Sequence, residues 1–424
     1  MLALYGLLMR FVTALLPLVA LFDQKLKRSV DGRRGLLETL RSHYRAVDAG
    51  RKRIVIHVSS FGELEQAKPI IKRLKNEHPE FHIHLTFFSA SGYDNAKGKY
   101  AEPDLISYLP FDTRRAMRSF VEIVRPDLFI FVRYDVWHTL VDELRKQRIR
   151  TLLICATFDE RKVHTTGISS LYRVTYSKLD AILAIRASDA AAIKALGVNE
   201  GRVRVAGDTR FDQVIERKDL AAQTEQAIPS RIIESWRSRG KTIVVAGSTW
   251  EPDEELIRSA FASDGLGERL ALIVVPHEIG AEHIASLQRS FVNRAVLLSN
   301  IEAFATHDVI IVDSIGKLFA LYRSADIAYV GGGFGAGVHN TLEAAVWGVP
   351  VLCGPRIERS REIAEMIHAG GAMVVRTATD LTSALRDWVS HSDQRQDVGA
   401  AAAEYVSASR GAITRVMEAI YEAS

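Results

Sequence analysis

Ser60 and Glu63 stand three residues apart in Ser59-Ser60-Phe61-Gly62-Glu63, directly after the apolar run Ile54–Val58. A carboxylate placed there can take a proton, because the N-terminus of the helix that follows favours its ionised form, from which a general base acts. The same spacing also spells a capping box, in which the two residues satisfy each other's backbone N–H groups. Two further segments put charge at the ends of apolar runs. Arg133-Tyr134-Asp135-Val136-Trp137 follows Asp127–Val132, so Asp135 can face a ligand. Gly207-Asp208-Thr209-Arg210-Phe211-Asp212 can set Arg210 against an anion. Taken singly, such groups are usually only solvated.

The second half of the chain carries loops suited to a nucleotide. Gly331-Gly332-Gly333-Phe334-Gly335-Ala336-Gly337 follows the apolar run Asp326–Val330 and precedes Val338-His339-Asn340-Thr341-Leu342-Glu343. Glycines let a backbone approach a ligand closely, and the N-terminus of the next helix offers N–H groups to an anion. A tight turn with Asn340 as N-cap and Glu343 closing a capping box accounts for the same residues. The segment matches neither a P-loop nor a dinucleotide fingerprint. Three more loops end apolar runs: Gly247-Ser248-Thr249-Trp250-Glu251, Pro276-His277-Glu278 and Asp313-Ser314-Ile315-Gly316-Lys317. Together they offer groups for a phosphate, a ribose and a base. His277 and His283 are six apart and miss the spacing of a helical zinc site, and no Asp-x-Asp pair occurs, so no metal is expected.

Parallel strands joined by helices would position these loops. Apolar, β-branched runs predict strands at 53–58, 82–87, 127–132, 151–156 and 181–185, and again at 242–246, 270–275, 308–312, 326–330 and 350–353. Alternation with helical segments implies two parallel sheets, each with right-handed crossovers, and hence two Rossmann-like α/β domains facing a cleft. Ligands of such sheets bind outside the carboxyl ends of the strands. The expected organisation is a helix over 1–22, a first domain over 23–215, a connector over 216–239 and a second domain over 240–424. The last helix of the chain is placed to pack back on the first domain.

Composition narrows the class. Of 424 residues, 47% are hydrophobic and 25% charged, the balance of a globular protein and not of a disordered or polytopic one. The net charge is +4, but residues 1–53 hold eleven basic and four acidic residues, a local +7. That excess flanks the apolar stretch Met1–Phe22, interrupted only by Arg10 and by Pro17. A basic cluster beside an apolar helix suits an anionic membrane surface on the cytoplasmic side, whereas a nucleic-acid binder carries its charge on the folded body. The stretch can cross a bilayer or lie in its interface. Two cysteines, Cys155 and Cys353, sit in apolar runs and exclude a disulfide scaffold.

As a set, Val58–Glu63, Tyr108-Leu109-Pro110-Phe111-Asp112, Gly207–Asp212 and Gly331–Ala345 resemble the bacterial 3-deoxy-D-manno-octulosonic acid (Kdo) transferases over nearly the whole chain. The resemblance implies the GT-B fold with an N-terminal membrane-anchoring helix. It implies inverting transfer of Kdo from CMP-Kdo to a lipid A precursor in lipopolysaccharide synthesis, at the cytoplasmic face of the inner membrane, with inner-membrane lipid as a partner and no metal or other cofactor. By the same resemblance Glu63 is the proton acceptor, and Asp135 and Arg210 stabilise the transition state where the family commonly has Glu and Lys. Ser248, Pro276, His277, Ile315, Gly316, Lys317, Gly332, Gly333, Asn340, Thr341, Leu342 and Glu343 fall to CMP-sugar binding. The loop Pro276-His277-Glu278 stands where many members read Pro-Arg-His. Another GT-B enzyme using a nucleotide sugar, a sugar transferase or an epimerase, would share the glycine-rich loop. A silent glycan-binding membrane protein would share the binding loops and lose no turnover without Glu63.

Overall fold

The computed structural model describes residues 2–159, 167–221, 227–292, 294–303 and 307–422. The chain forms two compact α/β units, one of residues 1–212 with 411–424 and the other of residues 213–410. Two Rossmann-like units in one chain is the architecture of the GT-B class.

The first unit holds strands β1 (Arg53–Val58), β2 (His82–Phe87), β3 (Leu105–Tyr108), β4 (Leu128–Val132), β5 (Arg150–Ala156), β6 (Ala181–Ala184) and β7 (Val203–Val205). They pair in parallel in the order β3-β2-β1-β4-β5-β6-β7. Central strands covered by helices on both faces must be apolar on both, and their residues alternate between two cores. Val55, Phe129, Phe131 and Leu153 enter one core. Ile54, Ile56, Ile130 and Ile154 enter the other. His57 is the polar exception on β1, fully buried.

The second unit holds β8 (Thr242–Thr249), β9 (Leu270–Pro276), β10 (Ala295–Leu297), β11 (Val309–Ile311), β12 (Ile327–Val330), β13 (Val351–Cys353) and β14 (Ala372–Val374). Their order is β10-β11-β9-β8-β12-β13-β14, again parallel throughout. Strand order reverses direction between β1 and β4 in the first sheet and between β8 and β12 in the second. In each sheet the switch point opens a crevice at the carboxyl ends of that sheet's own strands.

The last helix, Ala412–Tyr421, belongs to the first unit. Asp212 accepts hydrogen bonds from the backbone N–H groups of Gly411 (2.7 Å) and Ile413 (3.1 Å), and Arg150 donates to the carbonyls of Ala419 and Ile420. The polar stretch 216–239 carries the end of one helix, Thr209–Ala221, and a second, Ser230–Ser238, whose Ile232, Ile233 and Trp236 are buried. Residues 222–226 of it lie outside the described residues.

At the N-terminus, helix Leu2–Val19 turns through 117° into helix Gln24–Asp31, and among the described residues no single helix is long and apolar enough to cross a membrane. Met1 lies outside the described residues. Leu7, Phe11, Leu18 and Phe22 are all more than half exposed. The helix is tied to the first unit by Tyr5, whose hydroxyl donates to Asp112 Oδ2 at 2.6 Å. Asp112 in turn accepts from the N–H groups of Thr139 and Leu140, both at 3.0 Å, at the start of helix His138–Lys146.

Candidate active site at the strand switch points

Glu63 follows β1 and Asp135 follows β4, so the two carboxylates flank the switch point of the first sheet. Glu63 occupies the third position of helix Phe61–Glu77 and closes the capping box with Ser60. Its Oε2 accepts the Ser60 N–H at 2.9 Å and, over a very short contact, the Ser60 hydroxyl. Capping and chemistry are therefore not alternatives here, since the cap holds a 98% buried carboxylate in place at the switch point. The Tyr134 phenol lies against it. Burial first, then the Glu63 carboxylate, raise the Tyr134 hydroxyl above its ordinary range.

Asp135 Oδ2 accepts from Trp137 Nε1 at 3.3 Å and meets His57 Nε2 at 3.1 Å. On its other side His57 Nδ1 is 2.9 Å from Thr86 Oγ1. A carboxylate only accepts, so the proton of a neutral His57 sits on Nε2 and the Thr86 hydroxyl donates to Nδ1. Buried Thr86 thereby orients buried His57, and His57 orients Asp135. The backbone at this strand end is held in the left-handed region: Arg133 has φ +72°, and Cys155, at the end of neighbouring β5, has φ +49°. Such conformations cost about 1–3 kcal/mol each and gather at functional sites. Cross-strand bonds hold Arg133, its N–H on Ile154 O (2.8 Å) and its C=O receiving the Thr157 N–H (3.3 Å).

Arg210 does not project as a bare cation. Its Nε and Nη2 both donate to Asp208 Oδ2, at 3.0 and 2.8 Å. Burial alone would raise Asp208, but the Arg210 guanidinium outweighs it and holds the carboxyl below its usual range. The next residue, Thr209, donates to the carbonyl of Gln66, one helical turn beyond Glu63 (2.7 Å). Segment 207–212 is thus bonded to the helix that carries Glu63.

In the second unit Ser248, with φ +53°, is the last but one residue of β8, and Gly331, directly after β12, donates its N–H to Gly247 O at 2.9 Å. Gly331, Gly332 and Gly333 of this loop are required by neighbouring backbone. A Cβ on Gly331 would lie 2.4 Å from Ser248 O, on Gly332 2.5 Å from Gly337 O, and on Gly333 2.6 Å from Gly354 Cα. Asp253 pins the loop, accepting from Gly332 N (2.9 Å), Trp250 N (3.0 Å) and the Tyr329 hydroxyl (2.7 Å).

Two expectations for this loop are corrected. The helix after it spans only Leu342–Ala345, too short for a substantial dipole, and its N-cap is Thr341. Asn340 Oδ1 accepts from Leu342 N at 3.2 Å, while Glu343 closes no box and instead pairs with Arg217 at 2.7 Å. Thr341 Oγ1 is buried without a partner.

His277, after buried Pro276, is exposed and stacks on both Trp250 (4.7 Å) and His339 (4.4 Å). Trp250 Nε1 donates to His339 Nε2 at 3.0 Å, which leaves the His339 proton on Nδ1, and burial followed by the His277 charge lowers its pKa. Ile315, Gly316 and Lys317 form the loop after β11, where Ile315 is 85% exposed and Gly316 has φ +86°. The stack, Asp253, His57 and Tyr134 escaped the reading of the sequence. His57 alone left a trace, a polar residue inside an apolar strand.

Residues 29–213 match the family model for 3-deoxy-D-manno-octulosonic-acid transferase (kdotransferase). The 3-deoxy-D-manno-octulosonic acid transferase of Haemophilus influenzae is 26% identical over 378 residues, 86% of each chain. That of Aquifex aeolicus is 29% identical over 339 residues, covering 79% of this chain and 85% of its own. Among solved structures, the UDP-GlcNAc 2-epimerase of Neisseria meningitidis bound to UDP-GlcNAc is similar with a TM-score of 0.59, over 87% of this chain and all of that one, at 12% identity. That likeness is one of fold alone.

Proposed function

We infer that this chain, which belongs to the bacterial Kdo transferases, is a glycosyltransferase moving Kdo from CMP-Kdo to a lipid A precursor in lipopolysaccharide synthesis. The observation that carries the site assignment is the pair of hydrogen-bonded carboxylates at the β1/β4 switch point, Glu63 buried and Asp135 partly exposed. In the proposed reaction Glu63 takes the proton of an acceptor hydroxyl as that oxygen attacks the anomeric carbon of Kdo. The bond from that carbon to the phosphate oxygen breaks, and CMP leaves with the electron pair, inverting the centre. A base must be held within hydrogen-bond reach of the hydroxyl, and the Ser60 cap fixes Glu63 for that task.

Asp135, oriented by His57 and Trp137, supplies negative charge where the sugar becomes electron-poor. Arg210, kept in place by Asp208, supplies positive charge for the departing phosphate. Ser248, Pro276, His277, Ile315, Gly316, Lys317, Gly332, Gly333, Asn340, Thr341, Leu342 and Glu343 form the proposed CMP-sugar site. The exposed His277 face offers a flat surface and a ring N–H to a nucleotide.

The exposed apolar side of helix Leu2–Val19 and the +7 charge of residues 1–53 support attachment to the cytoplasmic face of the inner membrane, with the helix lying in the interface. The test is incorporation of Kdo from CMP-Kdo into a lipid A precursor by the purified chain. Lipid-borne Kdo is the expected product, and its absence with well-folded protein would overturn the reading.

A further inference from the structure

A cavity of about 290 Å³ opens beside the N-terminal helix and is lined by Leu7, Arg10, Arg114, His138 and Asp142 among others. Arg10 and Arg114 are exposed, and among the described residues neither has an ion-pair or hydrogen-bond partner. His138 is only 4% exposed. Its Nδ1 is 2.7 Å from Thr175 Oγ1, and the Thr175 hydroxyl donates to Leu171 O at 2.7 Å. The Thr175 proton is thereby committed, so His138 Nδ1 is the donor and Nε2 carries a lone pair. That Nε2 is buried with no hydrogen-bond partner, and Asp142 Oδ2 is 3.8 Å away. Burial lowers the His138 pKa, which keeps Nε2 an acceptor at neutral pH.

The cavity thus offers two unpaired guanidinium groups and one unsatisfied acceptor, next to a helix whose Leu7 and Phe11 are each 64% exposed. Unpaired buried acceptors are rare and costly, and a ligand hydroxyl would satisfy this one. Arginines are the side chains best suited to a phosphate. We propose that this cavity binds the phosphorylated headgroup of a lipid, its phosphate on Arg10 and Arg114 and a neighbouring hydroxyl donating to His138 Nε2. The acyl chains would then run along the exposed apolar side of the helix. The phosphate can come from a bilayer phospholipid or from the lipid acceptor, and only the latter source rests on the transferase reading above.

Binding to phosphatidylcholine vesicles, measured by co-sedimentation of the full chain without CMP-Kdo, separates the sources. One set of vesicles contains phosphatidylglycerol, a second contains a lipid A precursor, and a third contains that precursor after phosphatase treatment. Arg114→Ala and Arg10→Ala should each weaken binding about tenfold, the loss of one charge-assisted hydrogen bond. Arg114→Lys should recover part of it. Arg115→Ala, the same charge change one residue away and outside the cavity, should cost about twofold or less on the same vesicles, because an exposed charge acting at a distance is screened.

Loss on precursor vesicles alone assigns the cavity to the acceptor, and loss on both assigns it to bilayer phospholipid. Equal effects of Arg114→Ala and Arg115→Ala, or full binding to the dephosphorylated lipid, would overturn the proposal. His138→Leu should cost about threefold on phosphatidylglycerol and nothing on phosphatidylethanol, a phosphodiester of the same charge without a hydroxyl; a misfolded variant would lose both. A chain that shows these dependences but transfers no Kdo would keep this cavity and lose the transferase reading.

Discussion

His57 Nε2 on β1 and Asp135 Oδ2 beyond β4 lie 3.1 Å apart across the switch point of the first sheet. The bond joins a fully buried ring to a carboxylate whose side chain is 18% exposed, so the interior of the sheet sets the orientation of a group at its edge. Removing the ring takes away a hydrogen bond to a charged acceptor, a loss of about 1.5–3 kcal/mol. His57→Ala should therefore lower turnover about ten- to a hundredfold while CMP-Kdo affinity stays unchanged. Steady-state kinetics beside calorimetric donor binding would check this. A fall in melting temperature with turnover intact would reduce His57 to packing.

Ser60 has the opposite profile. Its side chain and N–H both serve Glu63 Oε2, so Ser60→Ala loses the cap and some of the carboxylate's fixation. Stability should drop by about 1 kcal/mol, the usual worth of such a cap. Turnover should fall less than in His57→Ala. Urea denaturation and the transfer assay, run on the same preparations, give both numbers.

The glycine-rich loop makes a paired prediction. Gly331→Ala drives a Cβ to 2.4 Å from Ser248 O, and backbone cannot yield there cheaply. The variant should lose about 1–3 kcal/mol of stability and most of its donor binding. Gly335→Ala meets nothing closer than 3.7 Å and should behave as wild type. If both bind CMP-Kdo normally, the loop is not part of the donor site.

Acid should weaken the first unit through its buried histidines. His82 Nε2 is 3.0 Å from His43 Nε2, and His84 is held between Tyr44 (3.1 Å) and Ser107 (2.8 Å). Burial lowers His82 from 6.5 to about 4 and His84 well below the ordinary value. Folded values below the unfolded one mean that the unfolded chain takes up protons the native state refuses. Stability therefore falls as pH drops from about 6.5 towards about 4. The melting temperature should decline across that window, and less steeply in His82→Gln. A flat profile would contradict the assignment of these rings as neutral.

Among the described residues, ten of the fourteen strands were legible in the sequence, and the four that were not, β3, β7, β10 and β14, are the edges of the two sheets. They are three or four residues long and none is buried throughout: Val203-Arg204-Val205 buries one residue of three. Their apolar signal is too brief to stand out from a loop. Glu63, Asp135 and the nucleotide-type loops could be singled out as candidates because each follows an apolar strand. Arg210 was found as a residue, but its fork on Asp208 was not, since the same residues would read alike with the arginine extended. The stack of Trp250, His277 and His339 joins three loops that are distant in sequence, and only pairing of β8 with β9 and β12 brings them together. The anion-binding helix expected after the glycine loop shrank to four residues, for Trp347-Gly348 ends it at once.

The central claim is tested most directly by single-turnover transfer from CMP-Kdo to a lipid A precursor, comparing wild type with Glu63→Gln after donor binding has been matched. Both proteins should bind CMP-Kdo, the wild type should release CMP and form lipid-borne Kdo, and the variant should be slower by about 10²–10⁴. Equal rates would remove Glu63 from the chemistry, and a folded wild type that neither binds CMP-Kdo nor transfers Kdo would contradict the account.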